Sequence, residues 1–99
     1  MAIAIPRGSK AVIPIIIFNH QPEGMYYYKP SEGEKIIFIL KMTDNTEVSR
    51  YEIAIKEDLE PCVELNTDIP EGFYIYDVHF ITKNADDYII AHDQDLVIT

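Results

Sequence analysis

Short runs of apolar or alternating residues recur along the chain, and each run is followed by residues typical of turns. Gly, Pro, Asn and Asp separate the runs, and these residues adopt backbone angles that strands do not use. The runs cover residues 11–18, 25–29, 35–42, 48–55, 62–65, 73–81 and 88–98. This rhythm is typical of an antiparallel sandwich or barrel. The pattern predicts about seven strands and no long helix.

Alternation with a period of two assigns faces to several of these strands, because successive side chains of a strand point to opposite sides. The run at 35–42 is apolar on part of its second face as well, which favours a central strand. Pro14 lies inside the first run and cannot donate to a ladder, so that strand is expected at an edge or kinked between sheets. The predicted inward positions are Ile36, Phe38, Leu40, Met42, Tyr51, Ile53, Ile55, Tyr74, Tyr76, Val78 and Phe80.

Length and composition fit one folded domain. The chain has 99 residues, of which 47% are hydrophobic and 25% charged, as in folded globular domains. Its single cysteine, Cys62, excludes an intrachain disulfide, so the apolar core must carry the fold. Together with the strand count, this predicts an all-β protein: one immunoglobulin-like antiparallel β-sandwich domain over residues 1–99.

The charge balance argues against two classes of partner, nucleic acids and membranes. Eight Lys and Arg stand against 17 Asp and Glu, a formal net charge of −9, and the basic residues occur singly. Such a chain repels nucleic-acid phosphates and anionic membrane surfaces, so neither is an expected partner. Residues 1–14 lack the features of a signal peptide, and no apolar run approaches the roughly 20 residues that span a bilayer.

The segment at 69–78 carries a first resemblance. Its spacing Gly72-x-Tyr74-x-Tyr76 resembles the start of strand F in immunoglobulin-like domains. In those domains the tyrosine nearest the turn donates a hydrogen bond to upstream backbone, a tyrosine corner. The resemblance implies this role for Tyr74, with Gly72 in the turn. Tyr76 stands where antibody-type domains have a cysteine, so an intersheet disulfide is not implied.

A second resemblance covers about residues 26–99. The order of motifs is similar to that of small phage and prophage proteins of Gram-positive bacteria, and the opening Arg7-Gly8-Ser9 resembles that of the amino-terminal domain of phage baseplate upper proteins. The matching segments are Tyr28 with Gly33-Glu34-Lys35-Ile36-Ile37-Phe38, then Gly72-Phe73-Tyr74-Ile75-Tyr76-Asp77-Val78, then Leu96-Val97-Ile98-Thr99.

This resemblance implies a β-sandwich associated with a phage tail, a baseplate or a host-adhesion device. The motifs contain no catalytic signature. The protein would be made in a bacterial cytoplasm, and both incorporation into the virion and a role in assembly alone remain open.

Residues suited to metal binding are scattered along the chain. The three histidines, His20, His79 and His92, lie in different segments without a short metal spacing. A hairpin of the last two strands would bring His79 to His92 beside Asp77, although solvent-facing polar residues are the more ordinary interpretation.

The densest carboxylates, Asp86, Asp87, Asp93 and Asp95, lack the spacing of a calcium loop. The segment Asp93-Gln94-Asp95 is instead predicted to be a bulge or strand interruption. No metal site and no cofactor are expected.

Nothing in the sequence indicates an enzyme. Cys62 has no acid–base partner nearby in sequence and is expected to be a buried or half-buried thiol. The serines lack a nucleophile-elbow context, and the four glycines fall in separate turns instead of one phosphate loop.

Two apolar segments are the candidate interaction surface. Tyrosines give large amphipathic contact areas, and an apolar face on an edge strand invites pairing with another chain. The candidate residues are Ile13, Ile15, Ile17, Met25, Tyr26, Tyr27 and Tyr28.

Three hypotheses follow from these features. The favoured one is a phage or prophage structural or adaptor protein that contacts a tail or baseplate subunit, or associates with itself. The alternative is a carbohydrate-binding module that stacks sugars on tyrosines. The third, a small enzyme or metal protein, requires a cleft that joins His79, His92 and nearby acids.

Overall fold

Residues 3–21, 23–56 and 59–99 are described by the computed structural model, with the backbone alone at 19–21 and 25–27. The secondary structure in these ranges is entirely β, and no helix in them could cross a membrane. The all-β prediction is therefore confirmed. The strands are β1 (Ile3–Ile5), β2 (Ala11–Pro14), β3 (Ile17–Gln21), β4 (Gly24–Tyr28), β5 (Lys35–Met42), β6 (Glu47–Ala54), β7 (Cys62–Leu65), β8 (Gly72–Ile81) and β9 (Asp87–Ile98).

Five strands form the main sheet, in the order β1-β9-β8-β5-β6. β5 pairs antiparallel with β6 on one side and β8 on the other, which confirms its predicted central position. β8 and β9 form a long antiparallel hairpin. β1 pairs with β9 in parallel, so the prediction of a purely antiparallel arrangement is wrong for this strand.

Two small antiparallel sheets complete the fold, β2 with β7 and β3 with β4. Pro14 is the last residue of β2, and the chain then leaves that sheet before β3 begins at Ile17. The single first strand predicted at 11–18 is therefore two strands, with the kink between sheets that the proline predicted.

One hydrophobic core joins the main sheet to the small sheets. Ile36, Phe38 and Leu40 of β5 are fully buried, and Val63 of β7 and Ile17 of β3 lie in the same cluster. Because the core is shared, it holds β8 and β9 in a fixed position relative to β3. Of the predicted inward residues, Ile36, Phe38, Leu40, Ile55, Tyr74, Val78 and Phe80 are buried, and Tyr51, Ile53 and Tyr76 are half-buried.

The end of β5 departs from the predicted alternation. Met42 was predicted inward but is 48% exposed, whereas Lys41, expected outward, is buried. The pairing of β5 with β6 shifts register between Leu40 and Lys41, and other polar side chains cover the Lys41 ammonium. The inward prediction for Met42 is therefore wrong because a bulge interrupts the regular period.

Candidate functional site

β9 is irregular because it is longer than its partner. Its 12 residues lie opposite the ten residues of β8. The register passes from Tyr76↔Gln94 to Val78↔Ala91 and then to His79↔Ile89, so β9 has two extra residues, each at a bulge. The first bulge places His92 and Asp93 opposite Asp77, and Asp93 has a φ of 49°. The bulge predicted at 93–95 therefore lies at residues 92 and 93.

Most of β9 has an open edge. β1 pairs only with Leu96–Ile98, and within the described parts of the chain β8 is the only strand that pairs with residues 87–95. We call residues 87–95 the open stretch of β9. Three consecutive apolar residues at its start are exposed: Tyr88 by 56%, Ile89 by 61% and Ile90 by 37%.

An apolar groove runs between this open stretch and the segment 13–18. Its larger part is a cleft of about 470 Å³, and a smaller cleft of about 160 Å³ continues from it, with Ile90 lining both. The Tyr28 and Phe80 rings meet edge to face at 5.5 Å in the larger part. The apolar groove is lined by Ile13, Pro14, Ile15, Ile16, Ile17, Phe18, Tyr28, Tyr76, Val78, Phe80, Thr82, Tyr88, Ile89, Ile90 and Ala91.

Glu34 holds the polar end of Tyr28. Both carboxylate oxygens of Glu34, which is 6% exposed, accept from the Tyr28 hydroxyl at 3.2 Å. The Ser31 amide donates to the same carboxylate at 2.7 Å and the Ser31 hydroxyl at 3.0 Å. Burial, and then the negative charge of Glu34, raise the pKa of Tyr28. The Tyr28 hydroxyl is therefore already satisfied, and its ring serves as a wall of the apolar groove.

A polar cluster of Lys41, Asp77, His92 and Asp93 lies at the first bulge. The Lys41 ammonium is 2.8 Å from an Asp77 oxygen and 2.9 Å from an Asp93 oxygen. The second Asp77 oxygen accepts from the Asp93 amide at 2.8 Å and lies 3.1 Å from His92 Nδ1. The bulge thus brings a backbone donor and two side chains onto a carboxylate that is only 7% exposed.

Opposite charges within the polar cluster shift the pKa values of Asp77 and Lys41. Burial alone would raise the pKa of Asp77, but the Lys41 ammonium and the Asp93 amide outweigh burial and hold that pKa below its ordinary value of 3.8. The hydrogen bonds to Asp77 and Asp93 raise the pKa of Lys41. Asp77, His92 and Asp93 have ligand atoms within 4.8 Å of one another, as a metal site requires. The Lys41 ammonium already pairs with both carboxylates, so each of them has a cation of this chain beside it.

The two β9 bulges separate the histidines that the sequence placed together. His79 Nδ1 lies 2.8 Å from an Asp87 oxygen, whereas His92 contacts Asp77 and Asp93. The prediction that His79 meets His92 is therefore wrong, because the extra residues shift the register between them. His20 lies outside the described side chains.

The four densest carboxylates do not form one site. Asp87 pairs with His79 and Asp93 with Lys41, while an Asp86 oxygen lies 3.5 Å from the Thr82 hydroxyl. Asp95 is exposed farther along β9.

Of the predicted interaction surface, Ile13, Ile15 and Ile17 line the apolar groove from its core side. Ile13 and Ile15 are half-buried against the core, and Ile17 is only 6% exposed, so it offers little surface to a partner. The exposed residues alternate with them: Val12, Ile16 and Phe18. Of the predicted tyrosines, Tyr28 lines the apolar groove, whereas the side chains of Met25, Tyr26 and Tyr27 lie outside the described residues.

Two other sequence expectations concern single residues. The Tyr74 hydroxyl donates to the Pro70 carbonyl at 2.5 Å, and Gly72 follows in the turn with a φ of 147°. The upstream hydrogen bond that the resemblance implied for Tyr74 is therefore present. Cys62, expected to be buried or half-buried, is exposed, so that prediction is wrong.

Sequence reasoning missed the exposed residues of β9. Tyr88, Ile89 and Ile90 are consecutive, and successive residues of a strand point to opposite faces. At least one of them must therefore point away from a core that lies on one side of the sheet. That signal was available from the sequence, but the bulge at Ile90 was not.

No family model, curated protein or solved structure matches this chain.

Proposed function

We propose that the chain is a non-enzymatic structural or adaptor protein that acts through protein–protein contacts in a phage or prophage tail or baseplate. The observation that carries the proposal is the apolar groove beside the open stretch of β9. Contiguous exposed apolar residues and an unpaired strand edge are what a partner chain covers in protein assemblies. The motif order from Tyr28 to Thr99 supports the phage setting.

An immunoglobulin-like sandwich is part of this proposal. A five-stranded sheet shares one core with two small sheets, as the two layers of a sandwich do. The hydrogen bond from Tyr74 to Pro70 also supports it, because that is the bond of a tyrosine corner.

Site-specific photo-cross-linking in the bacterium that encodes the chain tests the proposal. A photoreactive residue at position 89, on the open stretch of β9, should give a covalent adduct with a tail or baseplate subunit. The matched control is position 48, because Val48 is also exposed, at 38%, but lies on β6 at the far side of the sheet. Equal labelling from both positions, or adducts with metabolic enzymes alone, would contradict the proposal.

A carbohydrate-binding module is the second candidate. Tyr88 is 56% exposed beside Thr82 in the apolar groove, and an exposed ring with a neighbouring hydroxyl suits the stacking of a sugar. Titration with host cell-wall polysaccharide, followed by NMR, should then shift the Tyr88 signals, and Tyr88→Ala should abolish binding. Val48→Ala is the matched control.

A further inference from the structure

We infer that the open stretch of β9 accepts an extended apolar segment of another protein, flanked by Lys or Arg, as an added strand along the apolar groove. This inference rests on the proposed function and specifies how the partner binds and what chemistry its segment has. The backbone edge, the lining of the groove and the charges at its ends each support it.

The backbone edge selects an extended partner. A strand edge presents a row of N–H and C=O groups that another strand can pair with. Residues 87–89 keep regular register with β8, whereas the bulges at Ile90 and at His92 and Asp93 interrupt the rest, so main-chain pairing with a partner is expected at the start of the open stretch. Edge pairing supplies affinity through the main chain and leaves side-chain pockets to choose the sequence.

The lining of the apolar groove selects alternate apolar side chains. The open stretch forms one wall, through Tyr88 and Ile90, and Phe18 of β3 belongs to the other. Because the larger and smaller clefts follow one another and share Ile90, an extended segment would place successive inward side chains in the two clefts. Strand side chains repeat every second residue, which matches two pockets in a row.

Charge at both ends of the open stretch selects basic flanks. Asp86 and Asp87 stand at its start and Asp93 and Asp95 toward its end, and all four are exposed. Within the described chain, no Lys, Arg or His is within ion-pair distance of Asp86 or Asp95. Positive residues on either side of the apolar segment would meet Asp86 at one end and Asp95 at the other.

The same charges disfavour a second copy of this chain. Each copy has a formal net charge of −9, and pairing of two open stretches would bring their aspartates together. Like charges placed across an interface oppose association. The occupant is therefore a different protein.

Binding of three defined peptides tests the inference. The first has a Val-Thr-Val-Ile-Val centre with two lysines on each side; the second replaces the lysines with glutamates; the third replaces the central valine with proline. By fluorescence anisotropy, the lysine-flanked peptide should bind at least tenfold more tightly than either of the others. Its affinity should fall as salt rises, because exposed charges are screened.

Two further measurements locate the bound peptide. Hydrogen exchange of the backbone amides at 87–91 should slow when the lysine-flanked peptide binds, while the amides of β6 should not change. Phe18→Ser should weaken binding at least tenfold. Val12→Ser is the matched control and should not weaken binding, because Val12 is similarly exposed, 50% against 54% for Phe18, but does not line the apolar groove.

Three outcomes would overturn the inference: no peptide binds, all three bind equally, or the slowed amides lie outside β9. The proposed function is judged separately by cross-linking from position 89. If that cross-link to a tail or baseplate subunit forms while the peptides fail, the interaction role stands and strand addition does not.

Discussion

Lys41 neutralises the least accessible carboxylate of the main sheet. Its side chain and that of Asp77 are 10% and 11% exposed, in contrast to the surface pair of Lys35 and Glu52 at 42% and 57%. Removal of one partner from a buried pair leaves a charge without compensation, whereas exposed pairs contribute little. The two pairs therefore differ in what they contribute to stability.

Lys41→Met should lower the midpoint of thermal unfolding by clearly more than Lys35→Met does, because only the first change leaves a buried carboxylate unpaired. The double variant Lys41→Met with Asp77→Leu should recover part of the loss, since it removes the orphaned charge as well. Circular dichroism during heating measures all three variants. Equal losses in the two single variants would show that the polar cluster contributes no more than a surface pair.

The loss in Lys41→Met should also depend on pH. The folded-state pKa of Asp77 is depressed, so its contribution is present above the ordinary value of 3.8 and is lost as the pH falls through the folded value. The gap in unfolding free energy between the native protein and Lys41→Met should therefore narrow below about pH 4. Urea titrations at pH 7 and at pH 3 measure this gap, and a constant gap would contradict the assignment to Asp77.

Tyr74 offers a second test at the scale of one residue. Tyr74→Phe removes the donor to the Pro70 carbonyl and should lower the free energy of unfolding by about 1 kcal/mol. Tyr76→Phe is the matched control. The Tyr76 ring stacks on Phe38 at 5.0 Å, and its hydroxyl makes no hydrogen bond to the described residues. Urea denaturation should separate the two variants, and equal stability would argue against a role for the Tyr74 hydroxyl.

Among the elements, the β8–β9 hairpin has an unusual residue in its turn. The Ala85 amide donates to the Thr82 carbonyl at 2.9 Å, and the Thr82 amide donates to the Asp86 carbonyl at 3.0 Å. Ala85 closes this turn with a φ of 65°, in the left-handed region where a Cβ atom is unfavourable. Hairpin loops of this length commonly place glycine there.

Ala85→Gly should therefore stabilise the protein, by about 0.5 to 1 kcal/mol. Ala54→Gly, at the exposed end of β6, should have the opposite sign because a glycine in ordinary strand geometry only adds freedom to the unfolded chain. Thermal and urea denaturation of both variants measure the difference. Destabilisation by Ala85→Gly would mean that the turn does not impose the left-handed conformation on residue 85.

The elements also show which parts of the fold sequence patterns can predict. β5 and β7 begin and end where their runs do, because alternation is a local property of the chain. β1 was missed, since three residues carry too short a pattern and its parallel partner lies at the far end of the sequence. The exchange of Lys41 and Met42 between faces was missed for a related reason: a bulge depends on how two strands meet, not on either strand alone.

The sequence predicted the kind of candidate site, an apolar surface for a partner, but not the residues that it exposes. An apolar strand face was expected to meet a partner, and Ile13, Ile15 and Ile17 do line the apolar groove, but they also pack in or against the core and present little of its exposed surface. The exposed groove residues come from strands that are distant in sequence. In the segment 11–18 exposure alternates regularly, so the sequence offered two faces but not which one the core would take, and in β9 the bulges have no periodic signature.

At the scale of the whole molecule, charge repulsion and the exposed apolar groove act in opposite directions. A formal charge of −9 at pH 7 keeps copies apart, and the isoelectric point near 4.5 marks the pH at which this repulsion disappears. The hydrophobic attraction between grooves does not depend on charge in this way.

Light scattering should therefore find a monomer at pH 7 and association as the pH approaches 4.5. Phe18→Ser should weaken the association at pH 4.5, because it removes apolar surface from the groove without altering the net charge. Val12→Ser is the control and should associate like the native protein. A stable dimer at pH 7 would instead show that the groove accepts a second copy, against the charge argument.

The two bulges of β9 have a consequence for chain length. Each bulge inserts one residue that has no partner of its own on β8, so the pairs on either side of it do not depend on it. A deletion of Ile90 would thus remove an exposed apolar side chain that lines both clefts, while Tyr88 and Ile89 would stay opposite Phe80 and His79. Related chains can therefore differ by one residue here and present a different binding surface on an unchanged core, which makes this short segment a site where insertions and deletions alter recognition.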